Sequence, residues 1–363
     1  MMSDRERETA GTTGHLVTLR PSGKTYVVPD RRPILACALA SGISLPYACR
    51  MGCCRTCRGR ILEGSVDYGE VISAYLDERD KAAGYALLCK ASPLTDVVIE
   101  VDEQPLLEPP GEFVAMVKRI ERVAPDIALV RLRLPLHEPM RFAAGQYIDI
   151  VLDDGRRRSY SIANASAASG VIDVELHIQH IPGGAFTDRL FREMKQRERL
   201  RFEGPLGTFF LRDGAEPVVL VATGTGYAPL RSIIARALAD GSTRPMTLYW
   251  GARQRRDLYA FEEPARWASE HPWFRFVPVL SRPTLEDAWT GRTGYVQDAV
   301  VRDAPDLSAH AVYASGAPEM VDAARGAFVT HGQLPGDRFY ADAFVDASHA
   351  NPSIKEEPSH ARH

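Results

Sequence analysis

Pro46-Tyr47-Ala48-Cys49-Arg50-Met51-Gly52-Cys53-Cys54-Arg55-Thr56-Cys57 decides how this chain is read, because it gathers four of its six cysteines into one short run. The other two are Cys37 and Cys89. Cysteines of a small secreted domain pair as disulfides, but this chain has 363 residues and opens with MMSDRERETAGTTG, polar and charged with no apolar core. That start reads as no secretory signal and as a cytoplasmic chain whose thiols stay reduced. Cys37, inside Ile34-Leu35-Ala36-Cys37-Ala38-Leu39-Ala40, reads as a small buried hydrophobe. The cluster at 49–57 does not.

Composition bounds the class from outside. With 45% hydrophobic and 25% charged residues the chain is an ordinary globular one, long enough for two or three domains. A net charge of −3 argues against a polybasic nucleic-acid binder. The longest aliphatic stretch, Val218-Val219-Leu220-Val221-Ala222, is far short of a membrane span. The expected partners therefore include neither nucleic acid nor a membrane.

Cys49-x₄-Cys54-x₂-Cys57, with Cys89 after a long gap, is the spacing of a plant-type [2Fe–2S] site. Two irons sharing two sulfides need three thiolates from one tightly wrapped loop, and Gly52 lets backbone amides turn toward the sulfurs. Zinc ribbons instead pair two short Cys-x₂-Cys knuckles, and the second half here offers only Cys89. The loop resembles that of plant-type ferredoxin domains. The resemblance implies Cys49, Cys54, Cys57 and Cys89 as metal ligands, with Cys53 a bystander. Arg55 stands where a small residue is often found; a cation there would favour the reduced cluster and raise its potential. The flanks fit: a strand pair at His15–Leu19 and Lys24–Val28, a helix from Arg32-Pro33 to Ala40, and a closing strand Val97–Val101.

Gln104–Gly111, QPLLEPPG, reads as a linker. Alternating segments follow, among them Ala128–Leu134, Gln146–Leu152 and Val171–Ile178, which predict a small antiparallel β-barrel. Arg158-Ser159-Tyr160-Ser161 places a guanidinium and a phenol on one strand face by alternation. Pro182-Gly183-Gly184-Ala185-Phe186-Thr187 opens a helix, where backbone amides and the helix dipole favour an anion. Each motif alone is weak. In this order they resemble the FAD domain of the ferredoxin–NADP reductase superfamily. That resemblance implies Arg158 on the flavin phosphates, Tyr160 and Ser161 along the isoalloxazine, and Gly183, Gly184 and Thr187 at the pyrophosphate.

From about Glu216 the pattern becomes strand–turn–helix, as in a parallel sheet. Strand Pro217–Ala222 runs into Thr223-Gly224-Thr225-Gly226-Tyr227-Ala228-Pro229, a Gly-rich turn suited to a dinucleotide pyrophosphate, although Pro229 stands where a third glycine would be. Met246–Gly251 feeds Arg253 and Asp257, and Ala311–Gly316 feeds Pro318. These turns resemble the NAD(P) half of the same superfamily. By that match Thr223, Gly224, Thr225 and Gly226 meet the pyrophosphate, Arg253 and Asp257 lie on the adenosine side, and Gly316 and Pro318 lie by the nicotinamide. Asp342 is the carboxylate near the nicotinamide and Phe344 the aromatic covering the flavin. Ser315 stands where the family usually has Cys, which predicts slower hydride transfer.

The expected organisation is therefore multidomain, α+β and α/β. A disordered N-terminus spans 1–14, a β-grasp [2Fe–2S] ferredoxin domain 15–102 and a linker 103–112. An FAD-binding β-barrel spans 113–213, a parallel-sheet NAD-binding α/β domain 214–345 and a disordered tail 346–363. The order resembles the reductase component of bacterial multicomponent oxygenases, such as aromatic-ring hydroxylating systems. It implies a converter that takes two electrons from NADH through FAD and hands them singly through the cluster to an oxygenase. NADH is favoured over NADPH: Arg253, Arg255 and Arg256 could meet a 2′-phosphate, but Asp257 opposes one. The reductase of CDP-deoxyhexose synthesis shares this module order, and a non-catalytic redox sensor is the alternative of another class. Arg50, Arg55 and Arg58 form a candidate basic patch for an acidic partner.

Overall fold

A computed structural model of the chain describes residues 14–105 and 108–344. The expectations for residues 1–13 and 346–363 lie outside the described residues, as do positions 106 and 107 of the expected linker. The chain divides into two compact units, the described residues 14–105 and 108–344.

The first unit contains β1 (Gly14–Arg20), β2 (Thr25–Pro29), α1 (Ile34–Ala40), β3 (Arg58–Glu63), β4 (Val66–Asp67), α2 (Glu78–Ala82), β5 (Tyr85–Leu87), β6 (Ser92–Pro93) and β7 (Val97–Glu100). Its five-stranded sheet runs β2-β1-β7-β3-β5, with β1 and β7 parallel and the other pairs antiparallel. Helix α1 buries Ile34, Leu35, Cys37 and Ala38 into this core, so Cys37 is the packed hydrophobe its run predicts. The amides that open α1 have no partner within a helix. Those of Ile34 and Leu35 donate instead to the carbonyls of Ala91 and Leu88, 2.9 Å each, on either side of Cys89.

The second unit begins with β8 (Gly111–Ala124), β9 (Ile127–Arg133), β10 (Tyr147–Val151), β11 (Arg157–Ser161), β12 (Asp173–Gln179), α3 (Ala185–Arg192) and β13 (Arg199–Leu206). They make a six-stranded, wholly antiparallel sheet in the order β11-β10-β13-β8-β9-β12. Strand β8 starts inside the expected linker. It pairs with both β9 and β13, which draws Gly111 and Glu112 into the sheet.

The rest of the unit comprises β14 (Val218–Thr223), α4 (Tyr227–Ala239), β15 (Met246–Ala252), α5 (Glu262–Glu270), β16 (Phe274–Leu280), β17 (Arg292–Thr293), α6 (Val296–Asp303), β18 (Ala311–Gly316), α7 (Pro318–Thr330) and β19 (Phe339–Ala343). Every pairing in this sheet is parallel, in the order β17-β16-β15-β14-β18-β19. Chain order reverses between β14 and β18, and a crevice at the strands' carboxyl ends opens at such a switch point. Helix α4 begins at Tyr227, inside the stretch Thr223–Pro229 expected as a turn. Pro229 falls in its first turn, where a missing N–H leaves no bond unmade.

Candidate functional site

In the first unit, the Leu88 amide donates to the Cys57 carbonyl at 3.0 Å, which holds the turn carrying Cys89 against the cysteine loop. Cys49 lies beside Cys53 and Cys54, and Cys57 lies beside Cys89. Two irons that share four thiolates need two from each side, so the donor set fits a [2Fe–2S] group. Cys53, expected as a bystander, has its Sγ 3.8 Å from that of Cys49. The buried Thr56 hydroxyl, between Cys54 and Cys57 in sequence, has no hydrogen-bond partner. Arg55 and Arg58 both reach Asp80 on α2, Arg55 at 3.3 Å, and the Arg58 guanidinium lies 3.5 Å over the Tyr85 ring. The candidate basic patch of Arg50, Arg55 and Arg58 thus has two of its cations paired with Asp80, a partner that sequence alone does not reveal because it is brought there by the packing of α2.

In the second unit the crevice at the switch point gathers residues that the sequence scatters. Ser315 on β18 pairs in register with Ala222 on β14 and with Asp342 on β19. Asp342 is buried, and Ser161 at the end of β11 donates to its Oδ2 at 3.2 Å across 181 positions of sequence. Arg158 and Tyr160 share one face of β11, register-paired with Ile150 and Ile148. Ser161, on the other face, turns toward the parallel sheet. Tyr160 packs against Phe186 of α3 with ring centroids 5.5 Å apart. Burial pushes its phenol well above the usual range, so the hydroxyl stays a donor.

Close backbone approach defines the crevice floor. A Cβ on Gly226 would strike the Ser315 carbonyl, and one on Gly316 would fall 2.7 Å from the Thr223 carbonyl. The Ala317 amide donates to Thr223 Oγ1 at 3.3 Å, and the Phe344 amide to the Gly316 carbonyl at 2.8 Å. Pro318 opens α7, where it needs no N–H. The Gly224 carbonyl accepts from the Trp250 indole at 3.2 Å, and Thr225 is buried beside it. Ser315 Oγ is fully buried and has no hydrogen-bond partner. An orphaned hydroxyl beside a buried carboxylate fits a polar group entering the crevice, as a carboxamide-bearing nicotinamide would.

Other predicted residues are committed to their own loops. Thr187 Oγ1 donates to the Ile181 carbonyl at 2.9 Å, and the Gly184 amide donates to the same carbonyl at 2.9 Å. The Asp188 carboxylate meets His180 Nε2 at 2.7 Å. An anion here would meet the first-turn amides of α3 rather than the Thr187 hydroxyl. Asp257 accepts from the Gln254 amide at 2.9 Å in a reciprocal cap of the turn Arg255–Asp257, while Arg253 is exposed.

A cluster loop, an antiparallel flavin-type half and a parallel nucleotide-type half define a class, the flavin- and iron–sulfur-dependent oxidoreductases. Sequence profiles agree module by module: the 2Fe-2S iron–sulfur cluster binding domain matches residues 17–94, the oxidoreductase FAD-binding domain 114–211 and the oxidoreductase NAD-binding domain 220–326. The chain belongs to the family of NAD(P)H-dependent reductases that join these three modules, and its cofactors are FAD, a [2Fe–2S] cluster and NADH. It is 39% identical over 331 residues (91% of this chain, 98% of the relative) to the CDP-6-deoxy-L-threo-D-glycero-4-hexulose-3-dehydrase reductase of Yersinia pseudotuberculosis. It is 36% identical over 316 residues (85% and 88%) to the reductase component of phenol 2-monooxygenase from Pseudomonas sp. strain CF600. The crystal structure of a cytochrome P450 reductase of Amycolatopsis matches with a TM-score of 0.76 at 35% identity, covering 92% of this chain and 100% of that one. No helix among the described residues is long and apolar enough to cross a membrane.

Proposed function

We propose that this chain is the reductase component of a cytoplasmic oxygenase system, passing electrons from NADH through FAD and the cluster to a separate oxygenase protein. The observation that carries the reading is the Ser161–Asp342 hydrogen bond with Ser315 in register beside it. It joins the flavin-type half to the nucleotide-type half at one buried point. When bound, NADH supplies a hydride, FAD accepts two electrons and releases them singly, and the cluster carries one at a time. The protein positions and shields them. Arg158 would hold flavin phosphate, Tyr160 would lie along the ring and Phe344 over it. Thr223–Gly226 would take the nucleotide pyrophosphate, with Gly316 and Pro318 flanking the nicotinamide. Asp342 and Ser315 would orient its carboxamide, Asp342 as acceptor and Ser315 as donor or acceptor. Cys49, Cys54, Cys57 and Cys89 would hold the cluster.

Two finer points of architecture belong to the same reading. The first sheet, with α1 packed on one face, is assigned the β-grasp arrangement. The antiparallel sheet is assigned as a closed barrel, supported by the bridge between Ile162, just past β11, and Leu176 on β12. Module boundaries are assigned at 15–102, 111–213 and from 214 onward, the second moved from 113 because β8 begins at Gly111.

Anaerobic titration of the purified protein with NADH, then NADPH, tests the reading. Joint bleaching of flavin and cluster absorption supports it, and the comparison decides the nucleotide. A flavin left oxidised by both would point to a non-catalytic redox sensor. The 39% identity to a reductase of CDP-hexulose chemistry favours one second reading, in which the acceptor is a deoxysugar dehydrase. Electron transfer to a purified oxygenase component or to that dehydrase separates the two.

A further inference from the structure

Away from the crevice, a buried polar network crosses from the flavin half to the nucleotide half. Strand β12 carries Glu175 and His177, two apart and so on one face, both buried. Glu175 meets Arg131 of β9 at 3.0 Å and Arg231 of α4 at 3.2 Å. Arg231 grips Glu263 of α5 through two bonds, 2.6 and 2.8 Å, and donates to the Ala163 carbonyl at 2.8 Å. Two further residues of α4 bind the same segment: Ser232 donates to the Asn164 carbonyl at 2.7 Å and Arg236 to that of Ser166 at 3.0 Å.

His177 links this network to the nucleotide turn. Its Nε2 lies 3.4 Å from Glu175 Oε1 and its Nδ1 lies 2.8 Å from the Tyr259 hydroxyl. A carboxylate only accepts, so the proton of the neutral ring is on Nε2, and Nδ1 accepts from Tyr259. The Tyr259 ring stands edge-on to Trp250 at 5.2 Å, Trp250 stacks on Tyr227 at 4.2 Å, and the Trp250 indole holds the Gly224 carbonyl. A continuous path of directional contacts therefore runs from β12 to the Gly-rich turn. Apolar side chains of the same volume would give comparable stability. What they would not give is a fixed angle between the two halves.

We propose that His177, Glu175, Arg231, Glu263 and Tyr259 form a clasp that sets the angle and depth at which the Gly224–Gly226 turn faces the flavin half. They act as positioning residues for the nicotinamide. The proposal rests on the reductase reading above. Their contacts run to Arg131 of β9, the Ala163 carbonyl and the Trp250 ring, so they act on approach geometry, where a displacement near 1 Å costs up to about a hundredfold in rate.

The test uses the full-length holoprotein and the variants Y259F, H177L and H177N. Y259F removes one hydroxyl, H177L removes both ring bonds while filling the space, and H177N keeps an acceptor within reach of Tyr259. The expected result is that Y259F and H177L keep wild-type FAD content and melting temperature. Their limiting rate of flavin bleaching by NADH in anaerobic stopped flow should fall about tenfold, with the apparent NADH affinity changed less than about twofold. H177N should recover much of the rate. In FAD-loaded, nucleotide-free protein, hydrogen exchange should rise in residues 163–166 and 223–231 of both slow variants and stay unchanged in residues 14–105. Wild-type rates and exchange in Y259F and H177L would overturn the proposal, as would a rate loss that only tracks lost FAD. If neither nucleotide bleaches the unaltered protein, the reductase reading falls, and the exchange comparison still decides the clasp.

Discussion

Ser315 carries the sharpest prediction at the scale of one residue. Its hydroxyl is buried without a partner, which costs on the order of 1 kcal/mol in a group that could be deleted. Ser315→Ala is therefore expected to leave the melting temperature unchanged or slightly raised while slowing flavin reduction several-fold, read by stopped flow. Ser315→Cys, restoring the residue usual in the resembling family, is expected to speed it. A slower S315C would mean that the hydroxyl is the better fit here. Gly226 is sensitive for a different reason: any side chain meets the Ser315 carbonyl. Gly226→Ala is expected to cost about 2 to 4 kcal/mol and most of the nucleotide affinity, measured by thermal melting and NADH titration.

Among elements, α2 and the cysteine loop alter each other's electrostatics. The motif Cys49–Cys57 was legible because ligand spacing is a local property. The charge beside it was not, because Asp80 on α2 pairs with Arg55 and Arg58. The patch offered to a partner is thus less positive than three arginines imply, and surface pairs of this kind are screened further by water. Asp80→Asn is expected to release both cations and raise the cluster midpoint potential, on the order of tens of millivolts, measured by redox titration. A fall would mean the arginines lie too far from the cluster to act on it. The α3 loop gives the same lesson. Gly183-Gly184 and Thr187 were legible as a helix start, but only the folded loop reveals that the Thr187 hydroxyl is spent on the Ile181 carbonyl.

For the whole molecule, acid should loosen the second unit through the clasp. Burial lowers the His177 pKa from its ordinary 6.5, against the pull of Glu175, and it faces Arg231, Glu263, Tyr259 and Tyr227 as well. The unfolded chain takes up a proton near pH 6.5 that the native ring resists, so this contribution is complete above that pH and is lost as pH falls below it. Burial raises the Glu175 carboxyl, but the His177 hydrogen bond and the charges of Arg231 and Arg131 override it and hold it at about 2. Its contribution is present above its ordinary 4.5 and lost as pH falls toward about 2. Flavin release on heating, followed by fluorescence, should therefore move to lower temperature between about pH 7 and 5.5 in the wild type, and less in H177L. Equal shifts in both would place the acid sensitivity elsewhere.

The sequence by itself determined the modules and their cofactors, because cysteine spacing, Gly-rich turns after strands and the change from alternating to strand–helix patterning are all written within a few residues of one another. It also named Ser161, Ser315 and Asp342 as separate candidates. Only the tertiary structure decided that they meet, since register between β18 and β19 and the approach of β11 depend on packing across nearly 200 positions. Only the tertiary structure decided the pairing of Asp80 and the clasp at His177, for the same reason. A lone His or Asp carries no periodicity, and its partner is chosen by how the sheets and helices pack.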